Sequence, residues 1–510
     1  MDHAQTKPDE VAVVDGDSVA EREHTFGQLA SDSAKLACWL REQGMRAGDV
    51  ASVQLPNVYE AVVVALGLQQ VGMVINPVLP NYRLKELSYI FTKAETKVVF
   101  IPDSYRGFDH LTLIDDVARE ARLELLQVIV GVSTGEHPTL ASILEGSAPE
   151  VIPPSELDPS YMSEIIFSSG TEAEPKAVMH TEQTTSFSVR NVQEWLSLAD
   201  HDVVYMPSPV GHSTGFNYGL RLAMHLGLKL VLQDKWDSKV AVDLIDRHQC
   251  TYTLAATTFL KELSDELRVQ ERTLPSLRLF GCGGAPVPSE LVDAANAVGI
   301  RVQRLYGSTE VLAVTWHEPE SSLDRRRDSD GHPVINVEME LRDDNERVCG
   351  VQEPGEILVR SPGTSVGYFQ DPERTAATYM PDGWIRTGDI GEIDESGDLR
   401  IVGRKKEIII RGGLNIAPRE IEDMLVAMPQ IEQAAVVGIA DARLGEKCCA
   451  CVRLREGESL NFESMVKFLS AGGLAKYKLP EALELFDELP MTSTGKVQKH
   501  MILSQLEGRH

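Results

Sequence analysis

The 510-residue chain has few aromatic residues, 6%, and too little positive charge to balance its acids. Its 49 Lys and Arg stand against 77 Asp and Glu, a formal net charge of −28. A field of that sign does not coat a polyanion, so neither a nucleic-acid partner nor an anionic membrane surface is expected. Small anionic ligands stay open, because a pocket sets its own local potential. Long apolar runs are missing as well. Residues 61–68 (AVVVALGL) are among the longest, far short of the ~20 residues that cross a bilayer. The opening Met1-Asp2-His3-Ala4-Gln5 has neither the basic nor the apolar region of a secretory signal, so a soluble, cytoplasmic protein with no membrane span is expected. Cysteine is scarce at 7, and the one CxxC spacing, Cys448 to Cys451, has no second pair at finger-like distance. Cys448, Cys449 and Cys451 lie in a strand-like run, CCACVRL, where alternation puts Cys449 and Cys451 on one face and Cys448 on the other. Buried reduced thiols, not a metal site, are the expectation.

What remains is an ordinary globular composition, 43% hydrophobic and 25% charged, in a chain long enough for more than one core. Residues 97–101 (KVVFI), 126–130 (LQVIV), 228–232 (LKLVL), 251–255 (TYTLA) and 277–280 (LRLF) read as short buried strands spaced by helix-length segments. One such helix is expected over 288–298, with Ser289 as its cap. The pattern is that of an α/β protein with largely parallel sheets. After about residue 335 the texture changes. Residues 337–342 (VEMELR) and 356–360 (EILVR) alternate as antiparallel strands do, and Asp394-Glu395-Ser396-Gly397 marks a turn. Pro418 then opens an amphipathic helix, PREIEDMLVAM. This predicts a large domain over 1–403, a junction at 404–406 and a small α+β domain over 407–510. Residues 407–510 carry 12 basic and 15 acidic side chains, so the acidic excess belongs to the large domain.

Four stretches carry chemistry. In Phe167-Ser168-Ser169-Gly170-Thr171-Glu172-Ala173-Glu174-Pro175-Lys176 a strand runs into hydroxyls, a glycine and a lysine, the donors a phosphate needs, although GxxxxGK[ST] occurs nowhere. Tyr306-Gly307-Ser308-Thr309-Glu310 offers a ring for a base, hydroxyls for a phosphate and a carboxylate for Mg²⁺. By itself it also fits a strand–turn–helix junction capped by Thr309. Asp389, followed by Gly403-Arg404-Lys405-Lys406, suits a ribose diol beside a cation. Thr492-Ser493-Thr494-Gly495-Lys496 is a lysine in a small-residue loop. A competing signal is Gly211-His212-Ser213-Thr214-Gly215, which matches the GxSxG nucleophile elbow of serine hydrolases. The same pattern recurs at 363–367 in the antiparallel region, and no downstream Asp/Glu–His pair lies in a persuasive loop, so the hydrolase reading is remote.

Taken together and in this order, the motifs resemble the ANL superfamily of adenylate-forming enzymes, over nearly the whole chain from Thr25-Phe26-Gly27-Gln28-Leu29 to Lys496. The resemblance implies an α/β fold: a large domain of mixed and parallel sheets flanked by helices, with a β-barrel-like subdomain, and a small mobile α+β domain. It implies ATP, Mg²⁺ and coenzyme A as ligands. Ser168, Ser169, Gly170, Thr171 and Lys176 would clamp the β- and γ-phosphates, with Ala173 and Ala177 standing where the family's loop has glycines, which predicts a stiffer loop. Gly283, Gly284, Ala285, Tyr306 and Gly307 would form the adenine slot. Thr309 would contact the α-phosphate, Glu310 would hold Mg²⁺, and Asp389 and Arg404 the ribose. Lys406 falls at the family's hinge. Lys496 would bridge the carboxylate and the α-phosphate, and Gly412 and Gly413 would line the pantetheine tunnel. His212 would gate an acid pocket formed with residues 213–216, 255–258 and 281–283. The GHSTGF and KYKLP segments look most like ligases for medium-chain or alicyclic carboxylic acids. Transfer to a carrier protein and a non-catalytic nucleotide-binding relative are the alternatives. A homodimer is left open.

Overall fold

The computed structural model describes residues 2–16, 21–132, 137–146, 158–168, 175–412, 414–441, 443–492 and 496–507. Among these, the strands form two large sheets, a four-stranded antiparallel sheet and a sheet of five strands near the C-terminus, besides a two-stranded ribbon. The nine-stranded sheet has a parallel centre, Val11–Asp15, Lys229–Leu232, Val203–Met206, Tyr252–Ala255, Leu279–Gly283 and Val302–Ser308, in that spatial order. Antiparallel strands close its edges: Arg22–Thr25 on one side, Leu312–Trp316 and His332–Pro333 on the other. The seven-stranded sheet pairs Gly367–Tyr368, Lys176–Thr181 and Met162–Ser168 antiparallel, and then continues in parallel.

The two sheets share one core. Ala12, Val13, Val204 and Leu230 of the first and Ala51, Val53, Ile75 and Val98 of the second meet Leu36, Leu40, Val62, Val63 and Val189 of the helices Phe26–Glu42, Tyr59–Val71 and Glu182–Leu196. The helix Tyr59–Val71 is apolar on nearly all sides, as a helix enclosed between layers must be. The runs read from the sequence as strands are strands, displaced at most by a residue or two at each end except for 277–280, whose strand is Leu279–Gly283. The helix expected over 288–298 spans Ser289–Ala297. Its N-cap is Pro288 rather than Ser289, whose hydroxyl instead donates to the Arg327 carbonyl at 3.0 Å.

The barrel-like subdomain is an open sheet in the order Glu338–Arg342, Gly355–Arg360, Ile385–Ile393, Leu399–Arg404. Four strands are too few to close around side chains. Beyond it a turn at Lys405–Glu407 leads into the C-terminal α+β unit. Its sheet buries opposite faces against different helices. Cys448 lies with Ile421, Leu425, Met465 and Leu469 of the helices Pro418–Val426 and Phe462–Ala471. Cys449 and Cys451 lie with Phe486 and with Ile502 and Leu506 of the terminal helix Lys499–Glu507. The alternation expected for these thiols is present, and all seven cysteines are free. Among the described residues no helix is long and apolar enough to cross a membrane.

Candidate active site

The parallel strands of the nine-stranded sheet end together, and ligands of open α/β sheets bind at such carboxyl ends. Gly283 pairs with Leu305 there, and a Cβ at Gly283 would meet the Leu305 carbonyl oxygen at 2.6 Å. Gly284 takes φ +79°, a conformation L side chains avoid, and open space surrounds its Cα. Ala285 follows. Tyr306, 8% exposed, stands on the next strand and donates its hydroxyl to Asp389 Oδ2 at 2.7 Å. Asp389 comes from the antiparallel sheet, opposite Arg404, whose Nε lies 3.1 Å from Oδ1. Burial raises the Asp389 carboxyl above its ordinary value, against the opposing pull of Arg404 and the Tyr306 hydrogen bond.

Thr309 and Glu310 do not open a helix. They form the turn between the antiparallel strands Val302–Ser308 and Leu312–Trp316, and a Cβ at Gly307 would strike the Leu312 carbonyl. The turn is fixed from several sides. Buried His180 reaches the Thr309 carbonyl with Nε2 at 2.7 Å, its other nitrogen being 3.0 Å from the Thr184 hydroxyl. The backbone N–H and hydroxyl of Ser365 both donate to the Glu310 carbonyl at 2.8 Å. The Glu310 carboxylate accepts from Ser308 Oγ at 3.0 Å and from the Tyr368 hydroxyl at 3.1 Å. Tyr368 also carries the Lys176 ammonium over its ring, 5.4 Å from the centroid. Lys176 pairs with Ser168 across the hairpin whose connecting loop holds the hydroxyl-rich motif. Ser169, Gly170 and Thr171 of that loop, and Gly413, lie outside the described residues. Ala177 is a buried strand residue opposite Phe167, so the glycine it replaces is not needed for a turn at that position.

The GHSTGF segment begins with His212, whose Nδ1 accepts from the Thr214 N–H at 3.3 Å. Burial, then the nearby Lys496 ammonium, pushes its pKa down to about 4, so its ring is neutral at neutral pH. Gly215 is required by close approach to Ser208 and Pro209. Beneath lies a buried carboxylate that no sequence pattern signals. Glu164 is fully buried, accepts from Asn217 at 2.8 Å and pairs with Arg221 at 3.1 Å; Arg221 also pairs with Glu182 at 3.0 Å. Its charge is thus already matched. Ser213 Oγ meets Asn217 at 3.4 Å rather than a histidine, which leaves the nucleophile-elbow pattern without its base.

Lys496 arrives from the C-terminal unit. Its backbone is bonded to Thr492, whose N–H donates to the Lys496 carbonyl at 2.7 Å and whose Oγ1 accepts from the Lys496 N–H at 3.0 Å. Its ammonium is set among Arg404, Asp389 and Glu310 and close enough to depress His212; burial and then Arg404 lower its pKa from the ordinary lysine value. The structure therefore links Tyr306, Asp389 and Arg404 to one another, sets Lys496 near them and near Glu310 and His212, and joins Lys176 to Glu310 through Tyr368, with Thr309 adjoining Glu310 in the chain. Gly412 stands apart, its N–H bonded to the Leu444 carbonyl at 2.7 Å within the C-terminal unit. Other basic side chains near the junction are engaged by carboxylates: Lys405 by Glu356 at 3.1 Å, Arg411 by Glu481 at 2.5 Å, and Lys478 by Glu420.

The family model for AMP-binding enzymes matches residues 1–369, and that for the AMP-binding enzyme C-terminal domain matches residues 420–496. The chain is an AMP-binding enzyme of the adenylate-forming ANL superfamily. This AMP-binding enzyme is 34% identical to the medium-chain fatty-acid–CoA ligase of Escherichia coli (strain K12), over 99% of its own length and 89% of that protein. It is 32% identical to a salicylyl-CoA synthase / salicylate adenylyltransferase of a Streptomyces species, over 99% and 92%. The crystal structure of ATP-bound MatB from Rhodopseudomonas palustris superposes with a TM-score of 0.88 at 26% identity, covering 99% of this chain and 98% of that one. The AMP-binding enzyme therefore has the fold expected of it, and Lys496, the last residue of its second family region, has Glu310 of the first as a neighbour.

Proposed function

We propose that the protein is an ATP-dependent carboxylic acid–CoA ligase for a medium-chain, alicyclic or similar acid. The observation that carries the reading is Lys496, a half-buried cation from the C-terminal unit set among Glu310, Asp389 and Arg404 near His212. A carboxylate must attack the anionic α-phosphate of ATP, so two like charges have to meet, and a poorly solvated ammonium between them lowers that repulsion. A carboxylate oxygen bonds to the α-phosphorus, the bond to the β-phosphate breaks, and pyrophosphate leaves with its electrons.

Tyr306 stacks on adenine above Gly283, Gly284, Ala285 and Gly307, Asp389 and Arg404 take the ribose, and Thr309 the α-phosphate. Ser168, Ser169, Gly170, Thr171 and Lys176 hold the outer phosphates. The donor set fits Mg²⁺. One carboxylate, Glu310, is oriented by Ser308 and Tyr368, and among the described residues no cluster of three or more His, Cys, Asp or Glu competes as an all-protein cage. Such an ion would be held by Glu310 and would leave most of its shell to water and phosphate oxygens. When bound it would neutralise charge on the phosphates.

The acid lies beside neutral His212. Its apolar part lies among residues 213–216, 255–258 and 281–283. In the second half-reaction the domain 407–510 turns about 404–406, with Lys406 at the hinge. This withdraws Lys496, and Gly412 and Gly413 then face the pantetheine of coenzyme A. The thiol attacks the acyl carbon and AMP leaves. Seven free thiols suit a reducing cytoplasm. A panel of hexanoate, octanoate, decanoate, cyclohexanecarboxylate, benzoate and salicylate, assayed for AMP release with and without CoA, tests this. CoA-dependent turnover with the alkyl or alicyclic acids is expected. Salicylate alone being used would move the substrate to aryl acids, and acyl-adenylate that never becomes thioester would move the acceptor to a carrier protein.

A further inference from the structure

A second charged cluster lies at the seam between the large domain and the C-terminal domain. On the large-domain side Asp330 is buried and doubly held. Its Oδ1 accepts from Arg304 Nε at 3.0 Å and Nη2 at 2.6 Å, and its Oδ2 from the Ile401 N–H at 2.9 Å. Arg304 is itself buried and also donates to the Arg327 carbonyl at 2.5 Å. From the other side comes Arg419, on the helix Pro418–Val426, with its side chain only 12% exposed. It lies 3.9 Å from Asp330 Oδ2 and 3.9 Å from Asp423 on its own helix.

We propose that Arg419 is a positioning residue for adenylation, docking the C-terminal domain on the preformed Arg304–Asp330 pair in the orientation that delivers Lys496. The inference rests on the two-half-reaction reading above. Three features support it. The Arg304–Asp330 pair is complete within the large domain, so withdrawal of Arg419 leaves no buried carboxylate unpaired, the usual large penalty of breaking an ion pair. The contact is long, and the seam holds a cavity of about 420 Å³ lined by Arg304, Asp328, Arg400, Arg419, Met424 and Phe468, so the two surfaces are not sealed by tight apolar packing. A latch that must open on every turnover needs those properties. Finally, Arg419 is mechanically joined to Lys496. Lys499, three residues beyond it, bridges Glu422 of the Arg419 helix and Glu407 of the junction turn, each at 2.8 Å. A displacement at Arg419 is therefore passed to the loop that carries the lysine.

The test uses the full chain. Arg419→Ala is expected to slow carboxylate-dependent pyrophosphate exchange ~5–20-fold, the scale of a single charge contact, while thioester formation from prepared acyl-adenylate and CoA stays within about twofold of wild type. Arg419→Lys should recover part of the exchange. Faster tryptic cleavage within residues 404–411 in the presence of ATP, at unchanged melting temperature, reports the loosened seam without relying on turnover. Equal loss in both half-reactions, or exchange unchanged in Arg419→Ala, overturns the proposal. A wild type with no exchange for any acid overturns the functional reading, and the docking role then falls if the tryptic pattern is also unaltered.

Discussion

The two parts of the molecule hold their charged groups in opposite ways. In the large domain the acidic groups of the site and the turn beside them are tied at short range. Glu310 is held by Ser308 and Tyr368, Asp389 by Tyr306 and Arg404, and the Thr309 carbonyl by His180. The C-terminal domain contributes one ammonium that, among the described residues, makes no ion pair; it feels Glu310, Asp389 and Arg404 as neighbours rather than as bonded partners. On the two-step reaction proposed above the contrast has a reason: binding residues fixed in advance need no reorganisation when the ligand arrives, whereas a charge that enters for one step and leaves for the next must not be bonded to the site it visits. The lowered pKa of Lys496 is the energetic trace of that arrangement, a cation brought into poor solvation without full compensation.

The comparison breaks most sharply at the visiting charge. Lys496→Ala should reduce pyrophosphate exchange ~100–1,000-fold while leaving CoA transfer from prepared acyl-adenylate nearly intact; equal loss in both steps would place the lysine among the fixed groups. Glu310→Gln keeps the shape and removes the charge. An exchange rate lowered about 100-fold, with a raised Mg²⁺ requirement in a titration of the divalent ion, is the expected result. Tyr306→Phe deletes the hydroxyl that braces Asp389, a bond of about 1 kcal/mol, so KM for ATP should rise ~5–10-fold with kcat little changed.

The smallest effect concerns His212, whose folded pKa of about 4 lies below the ordinary histidine value of 6.5. A ring held neutral in the fold contributes stability that is complete above pH ~6.5 and declines as pH falls toward 4. Between pH 7 and pH 5 the loss is about 1–2 kcal/mol. His212→Gln should therefore narrow the gap between the melting temperatures at those two pH values; an unchanged gap would mean that the ring is solvated.

Much of this was legible from local pattern. Apolar runs bounded by turn residues give the sheets, and strict alternation sorts Cys448 from Cys449 and Cys451. What escaped local reading depends on pairing between distant segments. His180 braces Thr309 across 129 residues, Tyr368 meets Glu310 across 58, and Arg221 neutralises Glu164 across 57. Nothing near His180 or Tyr368 marks either as part of a site. The same limit explains the Thr309 turn: hydroxyl and carboxylate after a strand suit a helix cap and a hairpin equally, and only the strand Leu312–Trp316 returning beside Val302–Ser308 decides between them. Ala177 shows the converse. A departure that suggests a stiffened loop falls inside a strand, where alanine is unremarkable.

The burial of Cys448, Cys449 and Cys451 on both faces of the C-terminal sheet has a practical consequence. With that sheet folded these thiols are shielded from an aqueous alkylating reagent, and its unfolding uncovers all three. The tally of modified cysteines by mass spectrometry thus becomes a private clock for the C-terminal domain, separating its loss of structure from the swing proposed above.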